Sequence, residues 1–487
     1  MTLTRRQFTT GLVAAGALGS LPGCIATNPA TGRTSFTGVY SIDDDVALGK
    51  KENPGLVKAF GGRYEDARLE SYVTSIGKEL GKRTEHPDLP YTFTILNTPI
   101  VNAFALPGGY VSVSRGLVAL ASNEAELAGV LAHELGHVNA RHTAERLSQS
   151  MLAQVGLTVL SVATGSSAVS QIGGLAANAF LQSYSRQQEF EADMLGVRYI
   201  SRSGYDPDAM VTFLDTLRDH SQVEAEIKGL PKGSVDEFNM MSTHPRTVDR
   251  VQAAIEHGKQ YRSANPVLAR ERYLDHIDGM LYGEDPEQGL IIGQRFVHPT
   301  LRMEFTVPKG FQLHNTESKV IAKHPKGAAI VFDMDRPEKN RDVVSYLRDE
   351  WGRKASFSDV EPLTVNGLQA ATGMTKISGK DVRPVVFRND AESVFRFLFI
   401  TPPQQTAAFN VALRETTYSF KRLSEREAAN VKPLRLRISR GQTRESLDRL
   451  ASNLPYGEYN HAAFRVLNDL KPGQPLPDRG DLKMIVH

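Results

Sequence analysis

The stretch GVLAHELGHVNARH, Gly129 to His142, places His133 and His137 four residues apart, with Glu134 directly after the first. Two imidazoles and a carboxylate are costly in an apolar interior unless something there uses their lone pairs and charge. On a helix, positions i and i+4 share a face one turn apart, so the two rings offer nitrogens to a single point. Zinc accepts such nitrogens at about 2.0–2.1 Å. Glu134 lies about 100° round the helix from His133, so it flanks such an ion rather than binding it. There it can take a proton from water at the metal, which makes the implied chemistry a metal-assisted hydrolysis. Val130, Leu131, Leu135 and Val138 pack the helix, and Gly136 leaves room beside it.

A catalytic zinc usually needs a third protein ligand and an open position. A third histidine on the same segment would call for Gly at 140 and His at 143. Those positions hold Ala140 and Thr143, and His142 is one step out of phase. Downstream, SRQQEFEADMLG, Ser185 to Gly196, offers Glu189, Glu191 and Asp193. Glu189 and Asp193 are i and i+4 and share a face, whereas Glu191 points elsewhere. The expectation is Glu189 as third zinc ligand. Asp193 then accepts the free N–H of a ligating histidine, His133, and fixes its tautomer.

The elements that must hold these groups are legible in outline. Residues 46 to 85 have helical apolar spacing, and YTFTILN alternates as a strand. VNAFALPGGYVSVSRGL reads as a hairpin or bulged edge around Gly108-Gly109. Residues 123 to 149 read as one long helix, with Asn123 as N-cap and Glu126 three residues later. Residues 151 to 181 are too interrupted to span a membrane and read as a helical hairpin. Helices are expected at 186–202, 206–220 and 247–261. Past 290 come strand-like runs, LRMEFTVP, KVIAKHP, AAIVFDM and VFRFLFI, with a helix at 341–351. REAANVKP reads as a linker, and the last 55 or so residues as a small separate unit. At 487 residues, two or three domains are expected. A formal net charge of +2 favours no charged partner, and the absence of a long Lys/Arg block argues against nucleic acid.

The first residues, MTLTRRQFTTGLVAAGALGSLPGC, give a basic region, an apolar region and a small-residue cleavage zone. Arg5-Arg6 before Gln7-Phe8 resembles a twin-arginine export signal, and LPGC resembles a bacterial lipobox, although Pro22 departs from it. Cys24 is the single cysteine, so no intramolecular disulfide forms, and it is read as a lipid-attachment site. By resemblance to sorted lipoproteins, Ile25 after it favours the outer membrane. No later segment reaches the roughly 20 apolar residues of a bilayer span. Residues 1–23 are therefore read as signal peptide and 24–45 as a tether.

HELGH, RQQEFEAD and STHPRTVDR together resemble, in order, the motifs of one zinc metallopeptidase family. That family holds the CAAX prenyl endopeptidases, the HtpX-type membrane proteases and the periplasmic β-barrel assembly-enhancing proteases. The resemblance covers about residues 45 to 260. It implies one zinc per chain on His133, His137 and Glu189, Glu134 as general base and Asp193 behind a ligand. It also implies His244 close to the metal, steadying an oxyanion or filling the open position in a resting form. Arg250 becomes an ion-pair partner of the site, and Asn102 and Ala103 an edge strand that takes substrate backbone. The tail from Leu436 resembles a degenerate LysM module, with Gln442 in place of the common Asp. This implies binding of N-acetylglucosamine glycans such as peptidoglycan, or a packing module without glycan affinity.

The fold expected is α+β. A mainly helical, gluzincin-like metallopeptidase domain with a small sheet (46–265) precedes an α+β domain of unknown role (290–425) and a LysM-like βααβ module (433–487). The function expected is a lipid-anchored periplasmic zinc endopeptidase acting on unfolded or mis-assembled envelope proteins. Its rivals are a peptidoglycan- or protein-binding scaffold with a latent, autoinhibited site, and a peptidase acting on peptidoglycan peptides.

Overall fold

A computed structural model describes residues 26–148, 183–231, 240, 244 and 248–487, apart from 36, 38, 39, 317, 339, 340, 354, 442–445, 478 and 479. The leader, Cys24 and the 151–181 run fall outside the described residues.

The described chain begins with a hairpin, β1 (Ala26–Thr27) and β2 (Thr34–Ser35), where a free tether was expected. Asn28 pins it: its Nδ2 donates to the Asn139 carbonyl at 3.0 Å, and its Oδ1 accepts from Ala30 N–H at 2.8 Å. Helices α1 (Ile42–Ala59) and α2 (Ala67–Gly81) follow, capped by the side chains of Ser41 and Asp66. In α2, Leu69, Val73, Ile76 and Leu80 form the buried stripe. Strands β3 (Thr92–Leu96), β4 (Ala103–Leu106) and β5 (Tyr110–Ser114) make a small sheet in the order β3-β5-β4. As expected, β4 and β5 pair antiparallel across the two-glycine turn, and β3 joins β5 in parallel.

Helix α3 (Arg115–Leu120) leads into α4 (Glu124–Asn139), every residue of which is buried. Asn123 caps α4 by accepting Glu126 N–H at 2.9 Å, and the Glu126 carboxylate reaches back to Ser122 N–H at 2.7 Å. The helix expected over 123–149 is not continuous. Arg141 takes left-handed backbone at φ 57°, and a second helical run covers 142–148. The cause is local: Arg141 Nε donates to Asp45 Oδ2 at 2.7 Å, and its guanidinium also reaches the Tyr40 carbonyl. Such backbone is unfavourable for a residue with a Cβ, so these bonds hold the hinge.

Helices α5 (Arg186–Arg202), α6 (Ala209–Ile227), α7 (Val248–Gly258) and α8 (Arg270–Ile277) complete the helical part. α5 packs tightly on α4 because each presents a glycine. A Cβ at Gly136 would stand 2.8 Å from the Ala192 carbonyl oxygen, and one at Gly196 would stand 3.2 Å from the His133 backbone nitrogen. That close approach puts carboxylates of one helix within bonding reach of imidazoles on the other.

After β6 (Leu281–Tyr282) the chain turns to sheet. Strands β7 (Leu290–Ile292), β8 (Arg295–His298) and β9 (Met303–Thr306) belong to a four-stranded sheet. The seven-stranded antiparallel sheet comprises β10 (Gln312–Asn315), β11 (Val320–Lys323), β12 (Ala329–Asp335), β13 (Ser358–Val365), β14 (Leu368–Ile377), β15 (Lys380–Arg388) and β16 (Val394–Thr401). Between β12 and β13 lies the expected helical segment, α9 (Val343–Ser345), which widens to a π turn at Tyr346–Trp351. Helix α10 (Thr406–Ser419) and β17 (Lys421–Arg422), which closes the four-stranded sheet beside β9, follow β16. In β16 the period-two pattern buries Phe395, Phe397 and Phe399 against Phe305, Phe332, Phe387 and Phe420.

The linker expected at REAANVKP contains a helix instead, α11 (Glu425–Ala429), started by a capping box between Ser424 and Glu427. The tail then runs β18 (Leu434–Ser439), α12 (Leu447–Ala451), α13 (Asn460–Leu467) and β19 (Leu482–Val486), with β18 antiparallel to both β19 and β6. It does not stand apart. Leu436, Leu450, Phe464, Leu467, Leu482 and Ile485 join the same buried cluster as α2, α4 and α5. Lys483 is fully buried, and its Nζ donates to the carbonyls of Ala119, Leu120 and Ala121, each at 2.8 Å. A unit this small has too little apolar surface of its own, and here it borrows a larger core. The whole is mixed α and β, helical first and sheet-rich later. Among the described residues no helix is long and apolar enough to cross a membrane.

Candidate metal centre

His133 and His137 project from α4, Glu189 from the first turn of α5, and His244 from the segment between α6 and α7. One ligand atom of each lies within 4.8 Å of all the others, and all four side chains are buried. His133 Nε2 and His137 Nε2 are 3.0 Å apart, and His133 Nε2 is 3.4 Å from His244 Nδ1. His244 Nδ1 is 2.9 Å from Glu189 Oε1, and the Glu189 oxygens lie 3.4 Å from His137 Nε2 and 3.7 Å from His133 Nε2. A tetrahedral ion with ligand distances of about 2.0–2.1 Å spaces its ligand atoms roughly 3.3 Å apart. The donor set, three imidazole nitrogens and a carboxylate, fits zinc in chemistry and spacing.

The charge states agree with that use. Burial holds the His137 imidazole well below its usual range, so its Nε2 lone pair is available. Burial alone would raise the Glu189 carboxyl. The surrounding rings of His244, His137 and His133 outweigh it and keep Glu189 well below the usual carboxylate range.

Each α4 histidine is steadied from behind. His133 Nδ1 lies 2.9 Å from Asp193 Oδ1. Asp193 Oδ2 accepts from Arg250 Nε at 2.5 Å, and the same guanidinium donates to Glu189 Oε2 at 3.2 Å. Asp193 and Arg250 thus meet beside the cluster. His137 has a second chain of partners that the sequence reading missed. Its Nδ1 is 2.9 Å from His142 Nδ1, and His142 Nε2 is 3.1 Å from Glu191 Oε2. On one continuous helix His142 would sit about 140° round from His137. The left-handed Arg141 turns the next helical run so that the rings meet. Glu191, pointing away from Glu189 on α5, meets His142 there.

Three more groups close the site. The Tyr184 ring stacks on His137 with centroids 3.8 Å apart, and its hydroxyl pairs with Thr143 Oγ1 at 3.0 Å. Arg146 covers the far face of Tyr184, its guanidinium carbon 3.9 Å from the ring centroid. Glu134 is buried beside the cluster, its Oε1 3.6 Å from His244 Nε2. No local sequence signal marks Tyr184, because its partners come from other segments.

The edge strand needs correction. Ala103 opens β4 at the sheet edge, as expected. Ser114 N–H pairs with the Asn102 carbonyl at 2.9 Å, so Val101 and Ala103 turn their backbone groups outward. The Val101 carbonyl accepts Met240 N–H at 3.1 Å, and Ala103 N–H is taken by Asn102 Oδ1 at 2.8 Å. Asn102 and Ala103 are buried, so this part of the edge is already covered in the described conformation.

With this geometry in place, the relatives can be compared. Residues 67–257, from α2 to α7, match the family model described as Peptidase family M48. This segment belongs to the M48 family. M48 peptidases are zinc-dependent, in agreement with the donor set. The β-barrel assembly-enhancing protease of Yersinia pestis is 30% identical over 264 residues, 52% of this chain and 52% of that one. The protein of the same name from Escherichia coli (strain K12) is 28% identical over 283 residues, 55% of this chain and 56% of that one. Mitochondrial metalloendopeptidase OMA1 of Saccharomyces cerevisiae is 33% identical over 161 residues, 32% of this chain and 44% of that one. The chain spans about half the length of the β-barrel assembly-enhancing proteases it matches. The sheet-rich part and the tail lie beyond the M48 match.

Proposed function

We propose that this chain is a zinc-dependent metalloendopeptidase that cuts unfolded or mis-assembled proteins of the bacterial envelope. In this reading it faces the periplasm and is held to the outer membrane by lipid on Cys24. The observation that carries the activity is the meeting of His133, His137 and Glu189 at one point with Glu134 alongside. His133, His137 and Glu189 would hold one zinc ion. When bound, zinc supplies Lewis acidity, which polarises a peptide carbonyl and makes water a nucleophile near neutral pH. The Glu134 carboxylate takes the proton from that water and delivers it to the leaving amine. Asp193 Oδ1, 2.9 Å from His133 Nδ1, would favour the tautomer that leaves Nε2 free towards the cluster. Burial of the whole group excludes bulk water and strengthens each of these interactions.

The names of the relatives support the substrate class, and a gluzincin-like arrangement of two histidines and a glutamate is consistent with the ligand set. The test is direct. Purified protein with zinc should cleave an unfolded polypeptide, and Glu134→Gln should abolish cleavage while zinc stays bound. Glu189→Gln should lose the metal. Stoichiometric zinc in Glu189→Gln would remove Glu189 from the ligand set.

One observation favours a second reading, a latent site. His244 Nδ1 stands among the zinc ligands, and the same segment places Met240 N–H on the Val101 carbonyl of the sheet edge. A substrate strand would have to displace this segment from both places. His244→Ala would then raise cleavage of an unfolded substrate, whereas an oxyanion-steadying His244 predicts a fall. The βααβ order of the tail supports a LysM-like reading of its fold. Glycan binding there is tested by co-sedimentation with purified sacculi.

A further inference from the structure

The two α4 histidines end in different places. His133 runs through Asp193 to Arg250, within the motifs already identified. His137 runs through His142 and Glu191 to Arg33, on the N-terminal hairpin β1–β2. Arg33 Nε lies 2.8 Å from Glu191 Oε1, while its terminal nitrogens donate to both oxygens of Glu145 at 2.9 and 2.7 Å. Gln188 Nε2 adds a bond to Glu145 at 3.0 Å. One guanidinium therefore ties the helical run after α4 to α5, from a segment outside the family match.

We infer that His142, Glu191 and Arg33 form a positioning relay for the zinc ligand His137, and that the hairpin carrying Arg33 is a working part of the metal centre. This rests on the zinc-peptidase reading of the site. The hydrogen-bond logic admits one arrangement. With His137 Nε2 turned to the cluster, its proton sits on Nδ1, which donates to His142 Nδ1. His142 must then carry its own proton on Nε2, where Glu191 accepts it. Arg33 holds Glu191 from the other side. A ligating histidine gains orientation and basicity from such a partner. Here a histidine is interposed between ligand and carboxylate, and the fixed charge at the end is supplied by the hairpin.

The test measures zinc affinity of the full chain by competition with a chromophoric chelator, together with the visible spectrum of the cobalt(II)-substituted protein. His142→Phe removes the acceptor and should weaken zinc by about 10–100-fold. Arg33→Gln, on the partly exposed hairpin, should weaken it by up to about tenfold, with partial recovery in Arg33→Lys. Glu191→Gln keeps the shape and an acceptor oxygen, so it should sit between parent and Arg33→Gln and serves if His142→Phe does not fold. The cobalt bands should shift in each variant that weakens zinc. Thr27→Ala, in the same hairpin but outside the relay, should match the parent. Parent-like affinity in Arg33→Gln and Glu191→Gln, with folded apo-protein by circular dichroism, would overturn the relay. So would an equal loss in Thr27→Ala, which would mean the hairpin acts only through stability. A parent protein that binds no zinc would instead sink the peptidase reading, and the relay with it.

Discussion

Around α4 and α5 the interior buries His133, Glu134, His137, His142, Glu189, Asp193 and His244, none more than 2% exposed. In the sheet-rich part the interior is Phe305, Phe332, Phe387, Phe395, Phe397 and Phe420, ring against ring. The first interior is directional. Every polar atom needs a partner at a set angle, and removing one strands another. The second is held by area and shape, and it tolerates substitution as long as volume is kept. The comparison teaches where each kind of sensitivity lies: chemistry is concentrated in the polar interior, and stability without chemistry in the aromatic one.

That separation can be broken experimentally, beginning with the largest effect. Glu134→Gln should lower kcat by about 10²–10⁴-fold with zinc content and melting unchanged, measured by proteolysis and metal analysis. Phe397→Ala should do the reverse, destabilising the sheet-rich part by about 3–5 kcal/mol while zinc affinity holds. Trp351, the only tryptophan and seated beside Tyr346, reports that loss by fluorescence during urea unfolding. A drop in zinc affinity in Phe397→Ala would show the two interiors to be coupled.

The pH dependence sharpens the contrast further. His298 in β8 is buried, which pushes its imidazole down from 6.5 to about 4. Between these values the unfolded chain binds the proton and the folded chain does not. Stability is therefore lost as pH falls from 6.5 towards 4, by up to roughly 3 kcal/mol. In His298→Gln the slope of the Trp351 unfolding midpoint over that range should flatten. The smallest effect expected is Asn123→Ala, which removes the N-cap of α4 and should cost about 1 kcal/mol, seen as a lowered melting temperature of the apo-protein.

What could be read from the sequence follows from which contacts run along one regular element. His133, His137, Glu189 and Asp193 were legible because each pair lies one turn apart on an unbroken helix. His142 and Glu191 were set aside by the same periodicity, and it misled because Arg141 breaks the helix between the two histidines. Arg33 carried no signal, since its carboxylate partners lie more than a hundred positions away. The tail was read as separate because it follows a run that reads as a linker and resembles a self-contained module, and nothing in LKMIV marks Lys483 as buried. Only the folded chain shows the Lys483 ammonium on the carbonyls of Ala119, Leu120 and Ala121 at the end of α3. The helix at Glu425 could have been found, because Ser424 and Glu427 have capping-box spacing.

The β1–β2 hairpin also ties the start of the described chain to the body. Ala26 already lies in a strand that Asn28 and Arg33 fasten to the body, and only Ile25 separates it from Cys24. Were Cys24 lipidated, as proposed above, the two residues ahead of the strand could reach at most about 7 Å. An enzyme so held would ride close to the headgroups, and polypeptides emerging at that surface would meet it first.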